Sequence, residues 1–287
     1  MQLSCGDLSA RVELRGAQLR SLRRGSEEYL WQDEAGVWPQ SAPILFPFVG
    51  RLRGGGYTHA GRSYRQPIHG FASAQEFELV EQRDDALRLR LRANAATRAI
   101  YPFDFRLDVD FELSPDALQL RYSVVNESRE AMAFGLGSHP AFALPAAPLG
   151  DWSVEFETDE APEVYRLDGE LLAAMPEPLV FSPPRSVQLG EQLFDRDALI
   201  FKNIRSRRLS LNHRAHGERL RIHTGGAPHL GLWARPRAAY VCIEPWWGVD
   251  EHAQSPQELL HKPDLLRLAP AQRFETGYRI ELAARRD

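Results

Sequence analysis

The chain has 287 residues, of which 43% are hydrophobic, and a formal net charge of −4. That length holds one large domain or two ordinary ones with a full core, and the charge argues against a nucleic acid or a membrane surface as partner. The two cysteines, Cys5 and Cys242, lie far apart and offer no metal-ligand spacing, so they suit a reduced intracellular protein. Residues 1–7 do not open a basic-then-apolar signal sequence, and no apolar run is long enough to span a bilayer. A cytoplasmic location is expected.

Taken in order, the chain reads as short strands. The first is expected at Ala10 to Leu14 and another at Phe77 to Glu81, ahead of a turn at Arg83-Asp84-Asp85. Leu87 to Arg92 alternates leucine and arginine. Arg106 to Leu113 sends Leu107, Val109, Phe111 and Leu113 to one face, and Leu118, Leu120, Tyr122 and Val124 alternate after a Ser114-Pro115-Asp116 turn. A period of two over such lengths is the pattern of half-buried antiparallel strands. Further strands are expected at Val154 to Glu157, Arg208 to Leu211, Arg219 to His223 and Tyr278 to Leu282. Short helical pieces are expected near Glu191 to Phe194 and from Gln257 to His261. The 20 prolines and 21 glycines are spread throughout, with no linker and no repeat. One all-β sandwich domain over residues 1–287 is the expectation.

Four stretches break the bland pattern. In residues 42–51 (APILFPFVGR) an apolar run ends in Gly50-Arg51. The guanidinium is either a surface charge at a turn or a fork for a hydroxyl or anionic group. Residues 67–72 (PIHGFA) set His69 beside a glycine, and residues 134–145 (FGLGSHPAFALP) set His139 between a glycine-rich approach and Pro140, which favours extended backbone. Two such histidines suggest convergence on one pocket. In residues 241–248 (VCIEPWWG) Glu244 stands among apolar and aromatic residues, where an isolated carboxylate is costly unless paired or functional. Trp246 and Trp247 offer flat faces that suit a sugar ring, and Trp233 is either another wall or a core residue.

With these stretches in place, the chain resembles the aldose 1-epimerases (galactose mutarotase-like proteins), and within them the shorter, bacterial LacX-like branch. The ordered set APILFPFVGR, HGFA, YPFDF, GLGSHPAFALP, LGLW, CIEPWWG and LLRLAPAQRFETGYRIEL carries the resemblance from about Trp38 to Leu282. It implies a large antiparallel β-supersandwich and a mutarotase acting on a small sugar, without metal or redox cofactor. By the same resemblance, His139 is the general acid at the ring oxygen and Glu244 the general base at the anomeric hydroxyl. His69 and Arg51 hold substrate, and Trp233 and Trp246 line the sugar site. Asp197 is either an acidic substrate ligand or a turn former. The family commonly continues HGFA with arginine, whereas this chain has Ser73, so substrate preference can differ.

The chemistry fits those residue types, since opening a cyclic hemiacetal takes a proton from the C1 hydroxyl and delivers one to the ring oxygen. Glu244 and His139 are expected on opposite sides of the sugar. Two alternatives stay open, a non-catalytic sugar-binding or sensing module and a glycoside hydrolase, although only one compelling carboxylate is visible where most hydrolases need two. His213, His216 and His223 have a spacing that could hold zinc but sit in a polar, arginine-rich stretch that reads as a solvated turn. Arg51 and Arg53 would share a face on a strand, unless a bend at Gly50 leaves only Arg51 pointing inward, so free hexoses and hexose 6-phosphates both stay open. The oligomeric state and the particular aldose are not encoded legibly.

Overall fold

The computed structural model describes residues 1–33, 36–145, 148–161, 163–181 and 185–284. The alternating segments form one nine-stranded antiparallel sheet. Its order is Ser186–Gln188, Trp152–Phe156, Arg208–His213, Gly217–His223, Arg273–Leu282, Ala117–Asn126, Phe105–Leu113, Ala86–Arg92 and Glu78–Gln82. Register follows the hydrophobic pattern. Leu107 pairs with Leu91 and Val124, and Phe111 with Leu87 and Leu120, so these side chains share one buried face. The opposite face carries the charges. Arg88 grips Asp110 and Arg90 grips Asp108 through paired guanidinium contacts across the strands. The arginines of the Leu-Arg repeat are thus a solvated face whose charges are matched strand to strand.

A second antiparallel sheet runs Leu199–Lys202, His229–Trp233, Tyr240–Trp247, Leu136–Ser138, Ile44–Leu45, and Ala141–Ala143 also pairs with Tyr240–Trp247. The two sheets meet through Phe46 against Phe105, Trp247 against Phe274, and a buried 2.5 Å hydrogen bond between Tyr122 and Ser138. Their inner faces join in one hydrophobic core that draws on residues from Leu3 to Leu282. This is the expected antiparallel β-supersandwich. The N-terminal strands Gln2–Cys5, Leu8–Val12, Leu19–Arg24 and Glu27–Glu28 form a separate four-stranded sheet.

The expected strands are present with ends shifted by a few residues. The piece after Pro256 is a 3-10 turn at Leu259–His261, whereas Glu191 to Phe194 forms hydrogen-bonded turns without a helix. The α-helix Ala95–Ile100 escaped notice. It is too short for a 3.6-residue stripe, and its signal is the capping box, with Asn94 accepting from the Thr97 backbone and the Thr97 hydroxyl accepting from Asn94 N–H.

The two faces of the large sheet should differ sharply in what they contribute. Leu107→Ala, in the packed face, is expected to cost about 2–5 kcal/mol. Arg88→Ala, which removes an exposed ion pair, should cost less than about 1 kcal/mol. Denaturant unfolding of the two variants checks this, and equal losses would contradict the assignment of faces.

Candidate active site

The strand Tyr240–Trp247 is buried along its whole length and paired on both edges. On one edge Gly137 lies opposite Trp246, and Ala141 opposite Cys242. The register is the same before and after the gap, so by continuity His139 falls opposite Glu244. The ladder breaks there because Pro140 and Pro245 have no N–H to give; what survives is Ile243 N–H donating to Pro140 O at 3.2 Å. Residues directly opposite on antiparallel strands project to the same face. His139 Nε2 therefore lies 3.3 Å from Glu244 Oε2.

That pair sits in a cavity of about 380 Å³ whose walls include Trp38, Leu45, Arg51, Ser73, Asp197 and Trp233, with His69, Arg235, Trp246 and Asp250. All seven site residues named from the sequence (Arg51, His69, His139, Asp197, Trp233, Glu244 and Trp246) meet here. Asp197 is a turn former that also lines the cavity. It has a left-handed φ of 66° at the end of a turn, with Oδ1 accepting from Ala198 N–H, and it lines the cavity. Trp233 is a wall, edge-on to His139 at 5.5 Å between ring centres.

One expectation changes, and two open readings close. His139 and Glu244 stand side by side rather than on opposite sides of a bound ring. Arg53 does not line the cavity with Arg51, because Gly50 turns the chain with φ of 70° and Arg53 starts a 3-10 turn, so strand alternation does not apply. The second guanidinium at the cavity is Arg235, exposed and 5.7 Å above the Trp233 ring. The three histidines that could have held zinc do not converge. His213 and His216 stack on each other, while His223 pairs with Glu281.

Electrostatics follow burial. Glu244 is 1% exposed and His139 8%. Removal from water pushes the Glu244 carboxyl well above the usual carboxylate range, with the carboxylates of Asp250 and Asp197 adding to the rise. The Trp246 indole N–H opposes it, although that group is buried without a well-aligned partner. Burial likewise holds the His139 imidazole well below its ordinary value, and His69 adds to this. Both shifts favour the uncharged forms, a protonated Glu244 beside a neutral His139. Their contact is too poorly aligned for a hydrogen bond and leaves Glu244 Oε2 unpartnered.

His69 is fixed by a reciprocal clasp. Its N–H donates to Gly50 O at 2.9 Å, and its Nδ1 accepts from Gly50 N–H at 3.0 Å, with φ of 63°. Part of the residue surface stays exposed, yet the ring is enclosed enough that burial, aided by Arg51, lowers it to about 4. A neutral ring whose Nδ1 accepts must carry its proton on Nε2.

Sequence reasoning missed Trp38, Arg235 and Asp250. Trp38 is 5.0 Å from the His139 ring and 5.5 Å from Trp233, so the three rings pack together as a triangle. Asp250 accepts from Arg51 N–H at 2.8 Å, and burial raises it to about 6. The available signal was its place just after the Glu-Pro-Trp-Trp-Gly run, but an acid after a glycine reads as a turn.

The comparisons with known proteins point to one family. The family model for aldose 1-epimerase matches residues 1–270. Protein LacX of Lactococcus lactis subsp. lactis, encoded on a plasmid, is 28% identical over 290 residues covering 96% of each chain. A crystal structure of a galactose mutarotase related enzyme from Lactobacillus acidophilus superimposes with a TM-score of 0.93 at 30% identity, covering 99% of this chain and 97% of that one. A galactose mutarotase-like protein from Lactobacillus casei gives 0.92 at 25% identity, covering 99% of both. The chain belongs to the aldose 1-epimerase family.

Gly50 is where the site has least room. A Cβ there would sit 2.1 Å from Asp250 Cγ, so Gly50→Ala must expel the Asp250 carboxyl as well as strain a left-handed φ. Gly6 has a similar φ of 62° and open space around it. Gly6→Ala should show the backbone strain alone, roughly 1–3 kcal/mol, and Gly50→Ala clearly more. Denaturant titration of both variants checks the difference.

Proposed function

We propose that the protein is a mutarotase that interconverts the α and β anomers of a neutral aldose, with Glu244 as general base and His139 as general acid. The observation that carries this is the 3.3 Å contact of His139 Nε2 with Glu244 Oε2 at the cavity. The anomeric oxygen and the ring oxygen are bonded to the same carbon. A base for one and an acid for the other must therefore be neighbours, as these two are.

The reaction balances with one proton. The Glu244 carboxylate takes the proton of the anomeric hydroxyl, its oxygen forms the carbonyl with C1, the C1–ring oxygen bond breaks, and the ring oxygen takes the His139 proton. Rotation about C1–C2 presents the other carbonyl face, and the same transfers in reverse close the ring. Arg51 and the His69 Nε2–H supply donors to sugar oxygens. Trp38, Trp233 and Trp246 supply apolar walls. Ser73 leaves space where an arginine would reach into the cavity.

Charge favours an uncharged sugar. With Arg53 outside, two guanidiniums (Arg51 and Arg235) face two carboxyls (Asp197 and Asp250), leaving no cationic surplus for a phosphate dianion. A higher kcat/KM for glucose 6-phosphate than for glucose would reject this part of the proposal and leave the acid–base roles standing. Because Asp197 and Asp250 bring further acids to the cavity, hydrolysis also needs direct exclusion, and release of nitrophenol from nitrophenyl glycosides is expected to be undetectable.

Glu244→Gln and His139→Asn should each lower kcat for mutarotation by roughly 10²–10⁴, followed by polarimetry on variants shown to be folded. The double variant should lose less than the product of the two, since the transfers are coupled. Near wild-type mutarotation by folded Glu244→Gln would end the assignment.

The pH profile follows from the directions of the shifts. A His139 held low gains the pair's second proton only below the ordinary imidazole value of about 6.5, and a Glu244 held high gives up the last proton only above the ordinary carboxyl value of about 4.3. The one-proton form of the pair is the active one, and both limbs belong to the pair rather than to either residue. The acid limb of kcat/KM is therefore expected below about 6.5. An acid limb centred above that value would contradict the lowered imidazole.

A further inference from the structure

We infer that the catalytic pair doubles as an inhibitory site for a thiophilic divalent cation such as zinc, with Cys242 as third ligand. Cys242 lies two residues before Glu244 and thus on the same side of the strand Tyr240–Trp247. One donor atom from each of His139, Cys242 and Glu244 falls within 4.8 Å of the others, and all three residues are buried. They form the only such group among the described residues.

The geometry suits zinc. Bonds of about 2.0–2.1 Å to nitrogen and oxygen and about 2.3 Å to sulfur place tetrahedral donors roughly 3.3–3.6 Å apart. His139 Nε2 and Glu244 Oε2 already stand at 3.3 Å. The Cys242 sulfur, within 4.8 Å of the other donors, has to move by no more than about 1.5 Å to reach that spacing. A second observation points the same way, for Glu244 Oε2 is buried without a hydrogen-bond partner, so no existing bond has to break. The mixed nitrogen, sulfur and oxygen set selects zinc, or cobalt as its probe, over magnesium and calcium, which prefer all-oxygen sites. On binding, the Cys242 thiol and the Glu244 carboxyl release their protons to solvent and the metal forms bonds to sulfur, oxygen and the imidazole nitrogen. The fourth position faces the cavity and takes water. Nothing is oxidised or reduced.

The consequence is inhibition rather than activation, because the metal occupies the atoms that move the proton. That consequence rests on the acid–base roles proposed above, whereas binding itself does not. Catalysis should survive exhaustive chelation and micromolar zinc should inhibit it, reversibly with a chelator and competitively with sugar.

The test uses full-length wild-type protein with Cys242→Ala and Cys242→Ser, both checked for native circular dichroism. Cobalt titration should give a thiolate charge-transfer band in the wild type and none in either variant, a readout independent of any sugar. Glu244→Gln, which keeps the shape and removes another ligand, should weaken cobalt binding and serves if the cysteine variants do not fold. In mutarotation assays Cys242→Ala should keep its basal rate and need at least about tenfold more zinc for half inhibition. Lack of a thiolate band in the wild type overturns the inference. So does equal zinc sensitivity in Cys242→Ala, or sensitivity that disappears instead with His213→Ala or His216→Ala.

Discussion

Everything at the site depends on burying a carboxyl group at the middle of a sheet. Glu244 sits on a strand with hydrogen-bonded neighbours on both edges and apolar side chains on its inner face, so it has no route to water except through the cavity. An ionised carboxylate there would cost several kcal/mol without a partner. The fold meets that cost by raising the carboxyl's hold on its proton, and the ionisable group it touches is His139, which is also buried. The position is set by backbone pairing. Two prolines, Pro140 and Pro245, interrupt the ladder where the pair stands, and the matched register on either side of the gap holds the two side chains together.

A second layer fixes the rim. The segment from Gly50 to Arg53 is zipped to Asp250 and Glu251. Arg51 N–H donates to Asp250 Oδ1, Glu251 N–H to Arg51 O at 3.0 Å, and Arg53 N–H to Glu251 Oε2 at 2.8 Å. Glu251 is in turn held by a buried ion pair with Lys262, whose ammonium also donates to Pro256 O at 2.6 Å. Because His69 is clasped to Gly50, this chain of contacts sets the Arg51 and His69 donors against the same frame that carries Glu244. The buried ion pair contributes position here more than stability, since removing both partners from water offsets much of their attraction.

The sequence made the outward half of this legible. Alternation named the strands of the large sheet because their inner and outer faces differ in polarity all along their length. The site histidines, Arg51 and Glu244 stood out because each is polar within an apolar run. What stayed hidden depends on distance in the fold. Asp250 matters because Gly50 lets it approach, 200 residues away in sequence. Trp38 matters because it packs on His139, and no local pattern separates it from a core tryptophan. Arg53 stayed open for a local reason, since only a left-handed Gly50 and the 3-10 turn after it decide whether strand alternation applies. Cys242 offered no ligand spacing with Cys5 because its partners in reach are residues on its own and the adjacent strand.

Burial bears on the proposed mechanism as well as on the fold. It disfavours both charged forms, raising the Glu244 carboxyl and lowering the His139 imidazole. Under the proposed acid–base roles, the cyclic sugar meets a carboxylate and an imidazolium, and ring opening leaves a protonated Glu244 beside a neutral His139. Both shifts act in the direction of that second distribution. In water the free aldehyde is the scarce species on this path, so the same desolvation that makes Glu244 and His139 costly to bury works toward the stage that is hardest to reach.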